Sequence, residues 1–205
     1  TTTVFVPYAI ALRADAPYKS LGDLLAAAKA NPGKLNYGSG GPGTAPHFAT
    51  ESLMLAAKVD LTHIPYKGAG EAMTALVGGQ IDLFIASTAS LMAQAKGGRA
   101  RILAVSGDKR LAALPDSPTF AQAGLPGYGI LNFNGFGGRK GPPAEVVAKI
   151  QAEVAKAVAT PDMVAFAESQ GGFPGGTKPD AFAKTVADTT RMWAPVAEKA
   201  KVERQ

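Results

Sequence analysis

The chain has 205 residues, 46% of them hydrophobic and 18% charged, so it can bury a core in one large domain or two small lobes. Its net charge of +5 comes without a dense basic run, which argues against a nucleic-acid-binding stripe but suits attraction of a small anion. The absence of cysteine excludes disulfides, thiolate metal sites and cysteine nucleophiles, and no apolar run reaches the ~18 residues that a membrane-spanning helix requires.

The first hundred residues alternate between strand-like and helix-like patterns. A β-branched, apolar run, TVFVPYAIAL, is followed by SLGDLLAAAKANPG, in which Ser20 and Asp23 have the spacing of an acidic capping box. Strands are predicted at KLNYG, LTHIPY, IDLFIAS and RILAVSG, with helices between them. This β-α-β-α order predicts a mostly parallel sheet with helices on both faces.

The pattern changes after residue 107. The segment DKRLAALPDSPTFAQAGLPGYG contains three prolines and predicts a short helix, and ILNFNGFGGRKGPP predicts a strand that runs into a glycine-rich crossover. From Pro142 onward helical segments dominate, the first of them with prolines in its first turn. These helices have apolar faces but only one strand-like segment, near 130–137, to pack against. Part of their sheet is therefore expected to be missing from the chain.

The segment LNYGSGGPGTAPHF joins a predicted strand to a predicted helix and contains four glycines. Glycines let backbone N–H groups face a ligand, and the helix start adds free N–H groups and a partial positive charge, so the unit is suited to hold an anion. Thr44 is placed to cap the helix, Ser39 can donate a hydroxyl hydrogen bond, and His47 lies in the first turn. An ordinary tight turn is the alternative.

Three kinds of enzyme loop resemble this segment in part. A nucleotide phosphate loop ends in Gly-Lys-Ser/Thr, where this chain has Gly43-Thr44-Ala45. A nucleophile elbow would use Ser39, but Tyr37 occupies the first glycine position and neither histidine has an evident acidic partner. The dinucleotide spacing is met by three glycines, but no acidic residue ends the next strand. An α/β hydrolase using Ser39 is kept as an alternative function.

Three segments carry a resemblance to a known family: NPGKLNYGSGGPGTAPHFATE, HIPYKGAGEAMTALVGGQIDL and LPDSPTFAQAGLPGY. In this order they closely resemble the substrate-binding receptors of tripartite tricarboxylate transporters, also called Bug receptors, and the likeness extends from about Val4 to Ala200. The resemblance implies an α/β, periplasmic binding protein-like (type II) fold with two lobes. It implies a receptor in the periplasm, not an enzyme, that binds a small organic anion without cofactor or metal and delivers it to membrane permease subunits.

The resemblance also implies a domain division, because these receptors are longer than this chain at the N-terminus. Residues 6–128 are expected to form the complete second ligand-binding lobe, and residues 129–205 the mainly helical C-terminal portion of the first lobe. The N-terminal part of the first lobe would then be absent, and the chain alone should bind ligand poorly. Hinge strands are expected near Phe5 to Tyr8 and near Ile130 to Phe136.

Ligand contacts follow from the same resemblance. The glycine loop of the family holds a ligand carboxylate, and a second wall follows the strand IDLFIA; these roles transfer to Ser39, Gly40, Gly43, Thr44, His47, Ser87 and Thr88. Family members commonly have an acidic residue at the second wall, where this chain has Ala86 and then two hydroxyl residues, so a plain organic acid is favoured over an amino acid. Citrate, a C4 to C6 dicarboxylate and an aromatic acid stay open. So does an alternative function as the inducer-binding domain of a transcriptional regulator. His63 alternates with apolar neighbours and is predicted to be structural.

Overall fold

The computed structural model of the chain describes residues 1–139 and 141–200. Its strands are β1 (Thr2–Arg13), β2 (Asn36–Ser39), β3 (Thr62–Pro65), β4 (Leu83–Ser87), β5 (Ala100–Val105), β6 (Leu131–Gly135) and β7 (Phe173–Pro174). Its helices are α1 (Leu21–Ala30), α2 (Ala45–Ala57), α3 (Ala69–Val77), α4 (Thr88–Lys96), α5 (Ala144–Val158), α6 (Pro161–Ser169) and α7 (Pro179–Lys199).

The main sheet has the strand order β3-β2-β4-β1-β5. Strand β2 runs parallel to β3 and β4, whereas β1 is antiparallel to both β4 and β5. The prediction of a mostly parallel sheet is therefore wrong for β1. A helical crossover fixes parallel direction only between strands that it joins and that lie side by side, and no such crossover joins β1 to either of its neighbours.

Strand β1 also pairs with two strands beyond the main sheet. Its first half is antiparallel to β6 and, at Val4 and Phe5, to the two-residue strand β7, which is too short to be read from a sequence pattern. Where β1 changes partners, the Tyr8 N–H donates to Ser106 Oγ at 2.7 Å, and Ser106 Oγ donates to the Ile130 carbonyl. One serine thus connects the two segments expected to act as hinges.

Helices cover both faces of the main sheet, as predicted. Alternate residues of β1 point to opposite faces, so Ile10 and Leu12 join the core under α1 and α2, while Ala9 and Ala11 join the core under α3 and α4. The capping box at the start of α1 is confirmed: the Asp23 N–H donates to Ser20 Oγ, and the Ser20 N–H donates to Asp23 Oδ2.

The later helices are packed much less completely. Helix α5 buries only Val158 and α7 only Val196 among their described residues. Large apolar side chains lie exposed along these helices and the end of β6, with Phe136 and Phe166 each 61% exposed. A groove with a volume of about 670 Å³ lies near the strand change of β1, and a larger, mainly apolar one of about 970 Å³ lies between the segment after β6 and helices α5 and α7.

The helix predicted between residues 108 and 129 is wrong. The chain forms successive turns there and one isolated bridge, between Val105 and Thr119. Proline lacks the N–H that an interior helical position must donate, and Pro115, Pro118 and Pro126 leave no stretch long enough for a stable helix.

Candidate functional site

Three helices begin at one edge of the main sheet. Strands β3, β2 and β4 are neighbours and parallel, and α3, α2 and α4 follow them at Ala69, Ala45 and Thr88. Each helix start presents N–H groups that have no partner within the helix, together with a partial positive charge. We call this region the helix-start edge. In open α/β sheets, ligands bind outside the carboxyl ends of the strands, which is where this edge lies.

The glycine loop, residues 38–43, lies against the start of α3. A Cβ built on Gly40 would lie 3.4 Å from both the Ala69 nitrogen and the Gly68 Cα, at van der Waals distance, so the loop passes directly beside the start of the helix. The N–H groups of Gly40, Ala69 and Gly70 have no hydrogen-bond acceptor among the described residues. They are the donors that sequence reasoning missed at α3, although the KGAG that follows β3 was a visible signal.

Ser39 lies beneath this loop and is 0% exposed. Its Oγ accepts a hydrogen bond from the Gly41 N–H at 3.0 Å and lies 2.6 Å from His63 Nε2. The hydroxyl can also donate to the Gly41 carbonyl at 3.1 Å. A contact between Ser39 and a ligand stays a prediction. In the structure the Ser39 hydroxyl instead forms hydrogen bonds with Gly41 of the loop. A buried hydroxyl cannot reach an ester or amide substrate, so the hydrolase alternative finds no support.

His47 is also buried, with 5% of its surface exposed. Its ring stacks on His63 at a centroid distance of 4.3 Å, and its Nδ1 accepts the Gly43 N–H at 3.2 Å. On the other side of the ring, Nε2 lies 3.7 Å from Glu51 Oε1, which accepts the Tyr37 hydroxyl proton at 2.6 Å. The acidic neighbour of His47 was overlooked in the sequence, although the two residues are four apart on one helix and hence on one face.

The electrostatics of this buried group favour neutral imidazoles. Burial lowers the pKa of His47, and the nearby Glu51 carboxylate offsets part of that shift. Burial, with a smaller effect from the adjacent His47 ring, lowers the pKa of His63 to about 4. Removal from water disfavours the charged form of a histidine, so both rings are uncharged at neutral pH.

Thr44 occupies the N-cap position of α2 but does not cap it. Its hydroxyl instead donates to the Gly41 carbonyl at 2.7 Å, so the capping prediction is wrong. An N-cap side chain accepts a hydrogen bond from the N–H of the second or the third helical residue. The second residue of α2 is Pro46, which has no N–H to donate. Gly43, next to Thr44, has φ +77°, a conformation that glycine adopts without strain.

The second predicted wall has two different environments. Ser87 is the N-cap of α4: its Oγ accepts from the Ser90 N–H at 3.4 Å and lies 2.8 Å from Ser90 Oγ. Thr88 is 0% exposed, and its hydroxyl donates to the Gln170 carbonyl at 3.0 Å, at the end of α6. The structure places Ser87 at the helix-start edge, whereas the Thr88 side chain contacts the helical half of the chain. Their predicted ligand contacts stay predictions.

Residues 1–139 and 141–200 contain neither a cluster of metal-binding side chains nor a membrane-spanning helix. No group of three or more His, Asp or Glu side chains there is arranged to hold a metal ion. No helix in this part of the chain combines the length and the apolar character needed to cross a membrane.

Comparison with known proteins identifies the family. Residues 2–202 match the family described as tripartite tricarboxylate transporter family receptor. The chain belongs to this family. It is 37% identical over 189 residues to the UPF0065 protein in the tcbD-tcbE intergenic region of a Pseudomonas species, strain P51, an alignment that covers 92% of this chain and 56% of the relative.

Solved structures agree with this family. The periplasmic binding protein BugD superposes with a TM-score of 0.85 at 32% identity, covering all of this chain and 69% of BugD. Rpa4515 of R. palustris, solved with adipate, superposes with a TM-score of 0.88 at 29% identity, covering 98% of this chain and 67% of Rpa4515. The predicted fold class, a periplasmic binding protein-like α/β fold, is therefore confirmed, with a mixed rather than a parallel sheet. The receptor family binds substrates and is not enzymatic.

The chain spans only part of its relatives' length. It covers 56%, 58% and 60% of three curated relatives, although 92% to 94% of its own residues align with them.

Proposed function

We propose that this chain is part of an extracytoplasmic solute receptor that binds a small organic carboxylate and delivers it, in the periplasm, to the permease subunits of a tripartite tricarboxylate transporter. The family match and the fold support this function, and the helix-start edge supports the class of ligand.

The observation that carries the proposal is the meeting of the glycine loop with the start of α3. The N–H groups of Gly40, Ala69 and Gly70 have no acceptor among the described residues, and they lie where two helix starts contribute partial positive charge. A carboxylate accepts several hydrogen bonds at once and carries the complementary charge. The excess of positive charge on the whole chain, +5, adds a weak attraction for anions.

The second wall favours a plain organic acid. Ser87, at the start of α4, is partly exposed and uncharged, and Ala86 before it is apolar. No carboxylate is therefore contributed from these positions to pair with a substrate amine. A dicarboxylate such as adipate, which the similar protein Rpa4515 binds, has one carboxylate for the glycine loop and a second for the opposite side of a cleft.

We also propose that residues 6–128 form one lobe and that residues 129–205 belong to the other. The apolar groove of about 970 Å³ beside α5 and α7 supports this division, because exposed apolar patches of this kind mark interaction sites. In such a receptor the ligand would stabilise a closed form by contacting both lobes, with β1 and the segment near 130–136 as hinges. The 205-residue chain alone would then bind ligand weakly.

A thermal-shift screen tests the proposal on the 205-residue chain and on the complete product of its gene. The panel contains adipate, malate, citrate and benzoate, with lysine as the cationic control. We expect an organic acid to raise the melting temperature of the complete product and to have little effect on the 205-residue chain. Micromolar binding of a dicarboxylate by the 205-residue chain would contradict the two-lobe proposal. A response to lysine alone would contradict the ligand class.

A further inference from the structure

Five buried or half-buried side chains form one connected group beneath the glycine loop. They are Ser39, His63, His47, Glu51 and Tyr37. Ser39 Oγ lies 2.6 Å from His63 Nε2, and the His63 ring stacks on the His47 ring at a centroid distance of 4.3 Å. His47 Nε2 lies 3.7 Å from Glu51 Oε1, which accepts a 2.6 Å hydrogen bond from the Tyr37 hydroxyl. Tyr37 closes the group by stacking on His63 at 4.8 Å. Two glycine N–H groups of the loop end on this group, at Ser39 and at His47.

We propose that His47 and His63 are positioning residues for the glycine loop, and that the loop keeps its shape at Gly43 only while His47 is uncharged. His47 acts through the Gly43 peptide, and His63 acts through Ser39, which holds Gly41. The inference rests on the proposed function only in taking this loop as the carboxylate site.

His47 has one protonation state compatible with the observed contact. Its Nδ1 accepts the Gly43 N–H at 3.2 Å and therefore carries no proton, so the neutral ring has its proton on Nε2, facing Glu51. Adding a second proton would place two N–H donors against each other at 3.2 Å. The Gly43 peptide would then have to turn away, which is easy at a glycine with φ +77°.

His63 responds differently to a proton. Its Nε2 faces a hydroxyl, and a hydroxyl can both donate and accept. Once His63 is charged, its Nε2–H can donate to Ser39 Oγ, and the serine proton can turn to the Gly41 carbonyl at 3.1 Å. The contacts between Ser39 and Gly41 therefore survive protonation of His63. On acidification we therefore expect the two ends of the loop to respond differently: the Gly43 peptide moves, whereas the Gly41 peptide keeps its position.

The charged neighbours of the pair are few. Helix α2 contributes Glu51, which favours a charged His47; strand β2 contributes the Tyr37 hydroxyl; strand β3 contributes His63, which opposes a second charge beside His47. The remaining aromatic contacts, Phe48 and through it Trp193 of α7, are uncharged. Burial lowers the pKa of both rings, so each ring takes up its second proton only below pH 6.5, the ordinary pKa of a histidine.

A pH titration of the 205-residue chain by ¹H–¹⁵N NMR tests the inference without any ligand. Between pH 7.5 and 4.5 we expect the Gly43 amide signal to move together with the ring signals of His47, while the Gly41 amide moves much less. Gly98, which lies in an exposed turn, serves as the reference. A Gly43 signal that stays fixed while His47 titrates would overturn the inference.

Two variants separate positioning from general stability. His47→Asn keeps an acceptor at the Nδ1 position but does not titrate, so the Gly43 signal should stay at its neutral-pH position down to pH 4.5. His47→Phe keeps the aromatic ring without an acceptor, so the Gly43 signal should already be displaced at pH 7.5. Equal displacement in both variants would overturn the inference. If His47→Phe does not fold, the wild-type titration and His47→Asn still decide the question.

The same pair of variants connects the loop to binding. In the complete gene product at pH 7.5, His47→Phe should weaken adipate binding by about tenfold, the effect of one lost hydrogen bond. His47→Asn, which keeps the acceptor for the Gly43 N–H, should weaken adipate binding much less. Equal affinities in the two variants would contradict the role of the Gly43 contact in binding. If no organic acid binds while Gly43 still follows His47, the proposed function fails and the positioning role stands.

Discussion

Residues 6–128 and residues 129–200 differ in how they bury their apolar surface. In the first region, helices cover both faces of the main sheet, and side chains such as Leu53 and Phe84 are completely buried. In the second region, the long helices α5 and α7 each bury a single residue, although α7 also contacts α2, and Phe166 of α6 is 61% exposed. A sheet with helices on both faces can be stable by itself, whereas amphipathic helices obtain most of their stability from packing. The first region therefore buries most of its large apolar side chains between its own sheet and helices, whereas the second region leaves several of them in water.

The largest expected effect comes from matched truncations in the two regions. Leu53→Ala should lower the free energy of unfolding by about 3 to 5 kcal/mol, because it leaves a cavity in a close-packed core. Phe166→Ala should change it by less than about 0.5 kcal/mol, because the ring is mostly in water already. Urea denaturation followed by circular dichroism measures both. Equal losses would contradict the contrast between the regions.

A smaller effect is expected at the helix-start edge. Gly40→Leu should weaken adipate binding by the complete gene product by at least about tenfold, because the added side chain would lie against the Ala69 nitrogen and separate the loop from α3. Gly22→Leu is the control, since Gly22 is exposed on α1, and it should bind normally. Isothermal titration calorimetry gives both affinities. Normal binding by Gly40→Leu would remove the glycine loop from the proposed site.

Acid should destabilise the first region through its buried histidines. The pKa of His63 is lowered in the fold to about 4 from 6.5, so the unfolded chain binds the proton more readily. Stability linked to His63 is therefore complete above pH 6.5 and is lost as the pH falls towards 4. We expect the melting temperature to fall by several degrees across that window, and by less in His63→Gln, which has no ring to titrate. Identical pH profiles would contradict this assignment.

The smallest effect is expected from the ion pairs on the surface of α7. Asp188 contacts Lys184 and Arg191 in a solvent-exposed row, and its neighbours lower the pKa of its carboxyl. Ion pairs in such exposed positions contribute little to stability, because water and salt screen the charges. Arg191→Ala should therefore leave the urea midpoint nearly unchanged, in contrast to Leu53→Ala. A large loss would mean that α7 is stabilised by its charges and not by packing.

Local patterns predicted most of the elements of this fold. Strand and helix order through residue 105 follows the hydrophobic periodicity, and the Ser20–Asp23 capping box depends only on residues three apart. The direction of β1 could not be predicted, because it depends on pairing with β4 and β5, which are separated from it by more than seventy residues. Strand β7 could not be predicted because two residues have no periodicity.

The candidate site divides in the same way. The position of the glycine loop between a strand and a helix was predictable, since glycines and the flanking patterns lie within a few residues of one another. The task of each side chain was not. His63 meets Ser39 only because β2 and β3 are parallel neighbours, and Thr88 meets Gln170 across 82 residues of sequence. The residue type shows which kinds of group a side chain can bind, whereas the fold determines which of those groups lies within hydrogen-bonding distance of it.

Strand β1 pairs with four other strands, β4, β5, β6 and β7, and this has a consequence for biosynthesis. Its residues are synthesised before those of its partners, which include Ser87, Val105, Phe133 and, last of all, Phe173. Pairings between residues so distant in sequence form slowly. During that interval a twelve-residue apolar strand has both edges unpaired, and such edges are prone to join those of other chains. In a nascent chain, β1 therefore has to be kept apart from other chains until nearly 170 further residues have been made.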